Sequence, residues 1–417
     1  MAVEPRVFLR QLLDAAVSAA LPDQVIGPHL PARPEGRTIV LGAGKAAASM
    51  AAALEQHWQG PLEGLVVTRY GHAVPTRYVE VVEAAHPVPD ASGLVAAQRV
   101  LQLALSAGPQ DLVICLFSGG ASALLALPAA GVSLADKQYV NELLLRCGAP
   151  IDAMNVLRKR LSAIKGGRLG SAIAPAKALT LLISDVPGDS PQVIGSGPTV
   201  ADPTATAQAA MAVVQRYGLD LPDNVLAVLQ NNAAVEELPD NQSVVLVATP
   251  QQSLQAAARQ AKIHGVTPRI LGDAIQGEAR VVAEDMAALV RGLAVDGKHL
   301  SRPCVLLSGG ETSVTLSGRG GRGGRNTEFL LALALALEGC PEIYALACDT
   351  DGVDGSEDNA GAVIDPTSLR RASARGLDPR AYLDAHDAYG VFAALGDLVV
   401  TGPTLTNVND LRAIYLP

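Results

Sequence analysis

The stretch Thr38-Ile39-Val40-Leu41-Gly42-Ala43-Gly44-Lys45-Ala46-Ala47 decides the fold class. A β-favouring apolar run ends at two glycines, and an Ala/Leu-rich segment begins at once and runs to Leu54. That order reads as a buried strand, a tight turn and a helix. The rhythm recurs outward from there. Leu65-Val66-Val67-Thr68 follows, residues 112–117 run into Ser118-Gly119-Gly120, and residues 178–184 end at Asp185-Val186-Pro187-Gly188-Asp189. Continuous apolar strands alternating with helices are buried on both faces, which predicts an α/β chain with a parallel sheet.

Residues 236–243 are polar and turn-forming, and a second α/β set begins after them. It has strands at 244–248, 268–271, 304–307, 343–347 and near 398–401, with helices at 253–264 and 277–292. The boundary divides the chain into residues 1–238 and 239–417. One echo links the halves: residues 113–120 and 304–310 are each a buried strand ending in Ser-Gly-Gly.

Composition removes several function classes. The 417 residues carry 41 acids against 32 bases, a net charge of −9, which argues against nucleic acid as the main partner. The opening residues place Val7, Leu9, Leu12, Leu13, Ala16 and Val17 on one helical face, with Arg10 and Asp14 interrupting any signal-type core. The longest uninterrupted apolar run, 329–337, is far short of the ~20 residues a bilayer needs. Five scattered cysteines without a CxxC pair read as reduced thiols. The expectation is a cytoplasmic protein acting on small molecules, with no nucleic acid and no membrane. A homodimer is left open.

Six segments carry candidate chemistry. Gly42 and Gly44 form a strand-to-helix turn of G-x-G-x-x-A type, suited either to a phosphate or to tight packing alone. Lys45 stands beside it. A dinucleotide site would want an acid after the next strand, which instead ends Val67-Thr68-Arg69. The turns Ser118-Gly119-Gly120-Ala121-Ser122 and Ser308-Gly309-Gly310-Glu311 offer backbone donors and hydroxyls, and Glu311 adds a carboxylate at a strand end. Residues 155–169 hold five bases, and Lys165-Gly166-Gly167-Arg168 suits an anion. Residues 318–325 form a glycine-arginine loop that delivers Arg325 to a ligand. Among the acids, Asp185, Asp189 and Asp202 belong to the first half, and Asp349, Asp351, Asp354, Glu357 and Asp358 to the second. The run from Asp349 begins like a calcium loop, but its twelfth position is Ala360, not Glu. Hard carboxylates at strand ends suit Mg²⁺, with Asp189 and Asp351 the choices, and Asp189 also suits a base. Finally, residues 401–410 are dense in hydrogen-bonding side chains, Thr404 and Asn407 among them.

Together these segments resemble the glycerate 2-kinase family, whose C-terminal domain is called MOFRL. The resemblance rests on the Gly42–Lys45 turn, Thr68-Arg69-Tyr70-Gly71-His72, His86-Pro87-Val88-Pro89-Asp90, residues 158–169, 184–189 and 195–199, and, in the second half, 308–312, 323–328, 350–355 and 401–411. It implies an N-terminal Rossmann-like domain with a mainly parallel sheet, a C-terminal α/β domain whose MOFRL region spans about 303–411, and a site in the cleft between them. It further implies ATP- and Mg²⁺-dependent phosphorylation of D-glycerate to 2-phosphoglycerate, with Lys45 and Arg325 as the key cations. Gly42, Gly44, Ser118, Gly119, Gly120, Ser122, Ser308, Gly309, Gly310 and Glu311 stand as nucleotide or phosphate contacts. Lys165, Arg168, Thr404 and Asn407 stand as substrate contacts. The family pattern would have His at Arg160, Gln at Thr327 and Gly at Leu405. The rival activity is an NAD(P)H-dependent hydroxypyruvate reductase.

Overall fold

A computed structural model describes residues 4–296, 302–316, 320–338, 340 and 342–417. The glycine-arginine loop is therefore seen only from Gly320; Gly318 and Arg319 lie outside the described residues. The chain forms two compact units, one of residues 22–247 and one of residues 1–21 with 248–417.

The first unit is built on a six-stranded sheet: β1 (Thr38–Ala43), β2 (Glu63–Arg69), β3 (Val79–Ala84), β4 (Leu112–Phe117), β5 (Lys177–Ile183) and β6 (Gln242–Ala248). Its spatial order is β3-β2-β1-β4-β5-β6. The pairings β1 with β2 and β4, β2 with β3, and β4 with β5 are all parallel. Every residue of β1 and β4 is buried, as strands covered by helices on both faces require. The order reverses direction between β1 and β4, and such a switch point opens a crevice at the strands' carboxyl ends. The turn after β1, the turn after β4 and the 184–189 segment after β5 all lie along that edge.

β6 departs from the sequence reading, which placed it in the second half. It pairs beside β5 instead. The Ala178 amide donates to the Asn241 carbonyl, and Leu246 packs on the first unit's core. An edge strand carries no periodic signal that says which sheet it joins.

The second unit holds β7 (Thr267–Gly272), β8 (Gly277–Glu278), β9 (Cys304–Ser308), β10 (Thr312–Ser313), β11 (Tyr344–Asp349), β12 (Gly361–Ile364), β13 (Leu398–Val399) and β14 (Asp410–Leu416). Six of them form a sheet in the order β13-β12-β11-β14-β9-β7. It is mixed, not parallel: only β7 and β9 run together, while β9, β14, β11, β12 and β13 alternate. Antiparallel pairing brings the start of β14 against the ends of β9 and β11, with Asp410 opposite Asp349. The apolar run 329–337 lies mostly in the helix Arg325–Ala336, which is buried from Asn326 to Ala334.

The helix Pro5–Ser18 belongs to this second unit. Phe8, Leu9, Leu12, Leu13 and Ala16 pack against Leu254, Ala257, Val305, Leu307 and Tyr415. Arg6 fixes its start by pairing with Asp365 and, at 2.8 Å, with the buried Asp397, which Arg371 also holds. A division of the chain by sequence order alone gives this helix to the first half; the amphipathic face has its partner some 240 residues downstream. Arg6→Ala leaves Arg371 alone on Asp397 and is expected to cost the second unit ~1–3 kcal/mol. Urea unfolding checks it as a lower midpoint with an unchanged slope.

Candidate functional site

At the switch point of the first unit the chain is tightly stitched. The Gly44 amide donates to the Val67 carbonyl at 3.0 Å, Lys45 to Gly119 at 2.8 Å and Ala47 to Gly44 at 3.1 Å. The Ala46 amide donates to Ser118 Oγ at 3.0 Å. These are the donors a phosphate cradle would use, and here they are spent inside the protein. The expectation that the Gly42/Gly44 turn offers its amides to a phosphate is therefore corrected. A Cβ at Gly44 would lie 2.1 Å from Ser118 Oγ, and one at Gly42 would lie 2.4 Å from the Leu116 carbonyl. Both glycines are there so that the turns after β1 and β4 can touch. Lys45 closes the turn, with its side chain running past Gly120. Asp185 and Asp189 follow β5 on the same edge, with Asp189 at a left-handed φ of 53°.

Beside Lys45 the first unit encloses a cavity of about 190 Å³, bordered by His86, Gly120, Lys137, Asn141, Arg158 and Lys165. A Cβ on Gly120 would meet the His86 ring at 3.1 Å and Lys45 Cγ at 3.4 Å, so these three groups are contiguous. Lys165 Nζ donates to the carbonyls of Ser122 at 2.7 Å and Leu125 at 3.0 Å. Arg158 donates to Asn141 Oδ1. Ser122 Oγ bonds Ser196 Oγ at 2.9 Å.

The basic run thus splits by function. Arg158 and Lys165 reach the cavity. Arg168, expected to bind substrate, instead donates to the carbonyls of Lys159, Lys165 and Ala233. Arg160, where the family pattern has His, is buried and donates to the carbonyls of Leu229 and Ala205. Lys159 pairs with Asp202, which removes Asp202 from the candidate catalytic acids. Lys137 and His86 are not singled out as site residues by the sequence reading: no spacing of residue types marks either, and only the fold brings it to the cavity.

In the second unit Arg325 opens the helix Arg325–Ala336. It donates to Glu311 at 2.9 Å, Asp349 at 2.7 Å and Asp410 at 3.0 Å. These carboxylates hold its guanidinium above the usual arginine range against the cost of burial. Asp410 also takes Arg412, which is buried and donates to the carbonyls of Gly309 and Gly310. The Gly309 amide goes to the Gly272 carbonyl. The Ser308-Gly309-Gly310 turn thus gives its Gly309 and Gly310 carbonyls to a cation, and the Gly309 amide is spent inside the protein. A Cβ at Gly310 would lie 2.2 Å from the Ile275 nitrogen, so this glycine too is set by close backbone packing. Asp354 takes the Asn326 and Thr327 amides and caps the helix, and burial pushes its carboxyl up to about 6.

Asp351 Oδ1 accepts the Val353 amide at 2.8 Å. Thr404 donates its amide to the Asp351 carbonyl at 3.0 Å and its hydroxyl to Thr350. Asn407 Oδ1 accepts the Asn409 amide at 3.3 Å. Thr404 thus stitches the 401–410 segment to the 349–355 turn, while this Asn407 bond stays within the segment. Leu405 stands there at a left-handed φ of 63°, where the family pattern has glycine. Arg325 also borders a cavity of about 470 Å³ with Thr312, residues 320–324 and His386. Among the described residues, no group of three or more His, Cys, Asp or Glu stands ready to hold a metal. No described helix is long and apolar enough to cross a membrane.

Comparison with known proteins was made on this basis. A family model described as "Domain of unknown function (DUF4147)" matches residues 8–230, and the MOFRL family model matches residues 304–410. The chain is 53% identical to an Agrobacterium vitis protein bearing a hydroxypyruvate reductase name, over 99% of this chain and 95% of that one. It is 37% identical to the D-glycerate 2-kinase of Thermotoga maritima over 96% of each. The crystal structure of a Thermotoga maritima glycerate kinase matches with a TM-score of 0.90 and 35% identity, over 99% of both chains.

The Arg325 contacts tie this residue to stability as well as to chemistry. Arg325→Ala strands the buried Asp349 beside Asp410, which keeps Arg412, at an expected cost of ~3–5 kcal/mol. Thermal unfolding reads this as a lowered midpoint. Arg325→Lys, a point charge in place of a three-way fork, is expected to recover only part of it.

Proposed function

We propose a reaction for this chain from its family, for it belongs to the glycerate 2-kinase family: it transfers a phosphoryl group to glycerate. The likeness to a glycerate kinase across the whole chain, in sequence and fold together, carries that reading. The donor we assign is ATP with Mg²⁺, the acceptor is the 2-hydroxyl of D-glycerate, and the product is 2-phosphoglycerate.

The chain's own residues supply what such a transfer needs. A transferring phosphoryl group carries negative charge on its equatorial oxygens, and fixed cations lower the barrier by meeting it. Lys45 is the first unit's cation at the switch point, and it acts as a point charge through its side chain, since the backbone amides around it are spent. Arg325 is the second unit's cation, already oriented by its three carboxylates. Asp189 follows β5 on the edge that carries Lys45, and we assign it to orient the glycerate hydroxyl and accept its proton. Mg²⁺ takes hard oxygen donors, so a carboxylate such as Asp189 or Asp351, each within its own unit, fits its chemistry, and the ion would neutralise phosphate charge.

The reductase name borne by a relative finds less support in these residues. A dinucleotide in the β1 turn would want amide donors that are here bonded internally, and an acid after β2, which ends at Thr68-Arg69.

Lys45→Ala is expected to lower kcat by ~10³–10⁵, the scale of losing a cation that acts mainly in the transition state. Its melting temperature should hold, because the Lys45 amide is kept. Asp189→Asn should likewise fold and turn over slowly. The assay is ATP-dependent consumption of glycerate, with 2- and 3-phosphoglycerate resolved in the product. Oxidation of NADH or NADPH by hydroxypyruvate, with no phosphoglycerate formed, would overturn the reading.

A further inference from the structure

The cavity beside Lys45 has a lopsided charge. Lys137 from the helix Leu134–Arg146, Arg158 from the helix Ile151–Arg160 and Lys165 from the turn after it all border it, and no Asp or Glu does. Among the described residues, their hydrogen-bond partners are an amide oxygen and backbone carbonyls. Arg160 and Arg168 are likewise held by carbonyls, but Lys137, Arg158 and Lys165 also converge on one cavity, in a chain of net charge −9. Buried charge of one sign is costly unless something of the other sign meets it. The missing partner is a small anion.

We propose that this cavity seats the carboxylate of the hydroxy acid that the protein phosphorylates, with Arg158 gripping it as a fork and Lys137 and Lys165 as point charges. The proposal rests on the kinase reading and adds the group that selects an acid over a neutral polyol. The shared wall of Lys45, Gly120 and His86 sets the carboxylate seat next to the phosphoryl-directed lysine. A three-carbon acid has only one carbon between its carboxylate and its 2-hydroxyl, so the two sites need to be close neighbours. At about 190 Å³ the cavity is several times the ~30 Å³ share of one water molecule, enough for the acid end of such a substrate.

The same crowding gives binding a pH dependence. Desolvation, reinforced by Arg158, lowers Lys137 to about 7. Desolvation, reinforced by Lys137 and Arg158, holds Lys165 well below the usual lysine range. His86 is the other titratable group on the lining. A carboxylate entering the cavity restores the protonated forms, so binding takes up protons. Below about pH 7 Lys137 is charged without a ligand, and its share of the proton uptake falls away. Above it the proton must be taken from solution, and the KM for the acid rises by up to about tenfold per pH unit for each proton bound.

The test compares wild type with Arg158→Met and Lys137→Met, which leave the two carbonyl bonds of Lys165 intact. Steady-state kinetics are run with glycerate, with its neutral amide and with ATP varied in turn. The expected result is a KM for glycerate raised on the order of 10²-fold, with the KM for ATP and the melting temperature held and the preference for glycerate over its amide collapsed. An unchanged KM for glycerate in folded variants overturns the proposal, as does a rise confined to the KM for ATP. Calorimetric titration of glycerate and of inorganic phosphate without nucleotide separates the two anion sources: phosphate binding lost in Arg158→Met while glycerate binding persists also overturns it. If wild type makes no phosphoglycerate, the kinase reading falls by itself. The glycerate titration still decides the cavity, supporting it if heat is present in wild type and lost in Arg158→Met, and overturning it if wild type gives none.

Discussion

Arg325 lies within hydrogen-bond reach of Glu311, Asp349 and Asp410, and the charged end of the second unit's sheet depends on it. Asp349 and Asp410 face each other across β11 and β14, both buried, and two carboxylates in that position need a cation between them. Arg412 completes the arrangement from β14 itself, with its plane over Phe329 at 5.5 Å. The first unit meets the same constraint differently. Its cavity cations are left with carbonyls and an amide oxygen, so its lysines lower their affinity for protons instead of finding a counter-charge. One arrangement is complete as it stands; the other is completed by an anion.

Glycine has one role throughout these turns: it lets backbone meet backbone. At Gly44 the close approach joins β1's turn to Ser118, and at Gly310 it joins β9's turn to Ile275. The two Ser-Gly-Gly turns look alike in sequence and serve different chemistry. After β4 the turn faces Lys45 and the cationic cavity. After β9 it gives its carbonyls to Arg412. The echo records a shared local geometry, a buried strand ending in a tight turn, and says nothing of which atoms are left over for a ligand.

Much of the fold was legible. The strands β1, β2, β4 and β5 and the buried helix after the arginine loop followed from apolar runs and glycine punctuation, because burial on both faces leaves an unbroken hydrophobic signature. The short β10 and β12 carry too few residues for such a signature, and β14 is broken by Asp410 and Arg412, whose charges are satisfied only in the sheet. Of the candidate site, Lys45, Arg325 and Asp189 stood out by type and position. Lys165 and Arg168 were indistinguishable by composition, yet one borders the cavity and the other ties three carbonyls. Their separation depends on which way a turn carries each side chain.

By itself the sequence determined the α/β class, the strand-turn-helix order, the buried character of each long element and the family, since all of these rest on local pattern or on ordered motifs. Tertiary structure alone decided how the pieces combine. It gave the first helix to the second unit, moved β6 to the first, made the second sheet mixed, and gathered Lys137, Arg158 and Lys165 around one cavity. The reason is that hydrophobic periodicity says that a face will be buried and leaves its partner unspecified, and a charge written in sequence does not carry the identity of the group that will compensate it. Both are settled only when residues far apart along the chain come within a few ångströms.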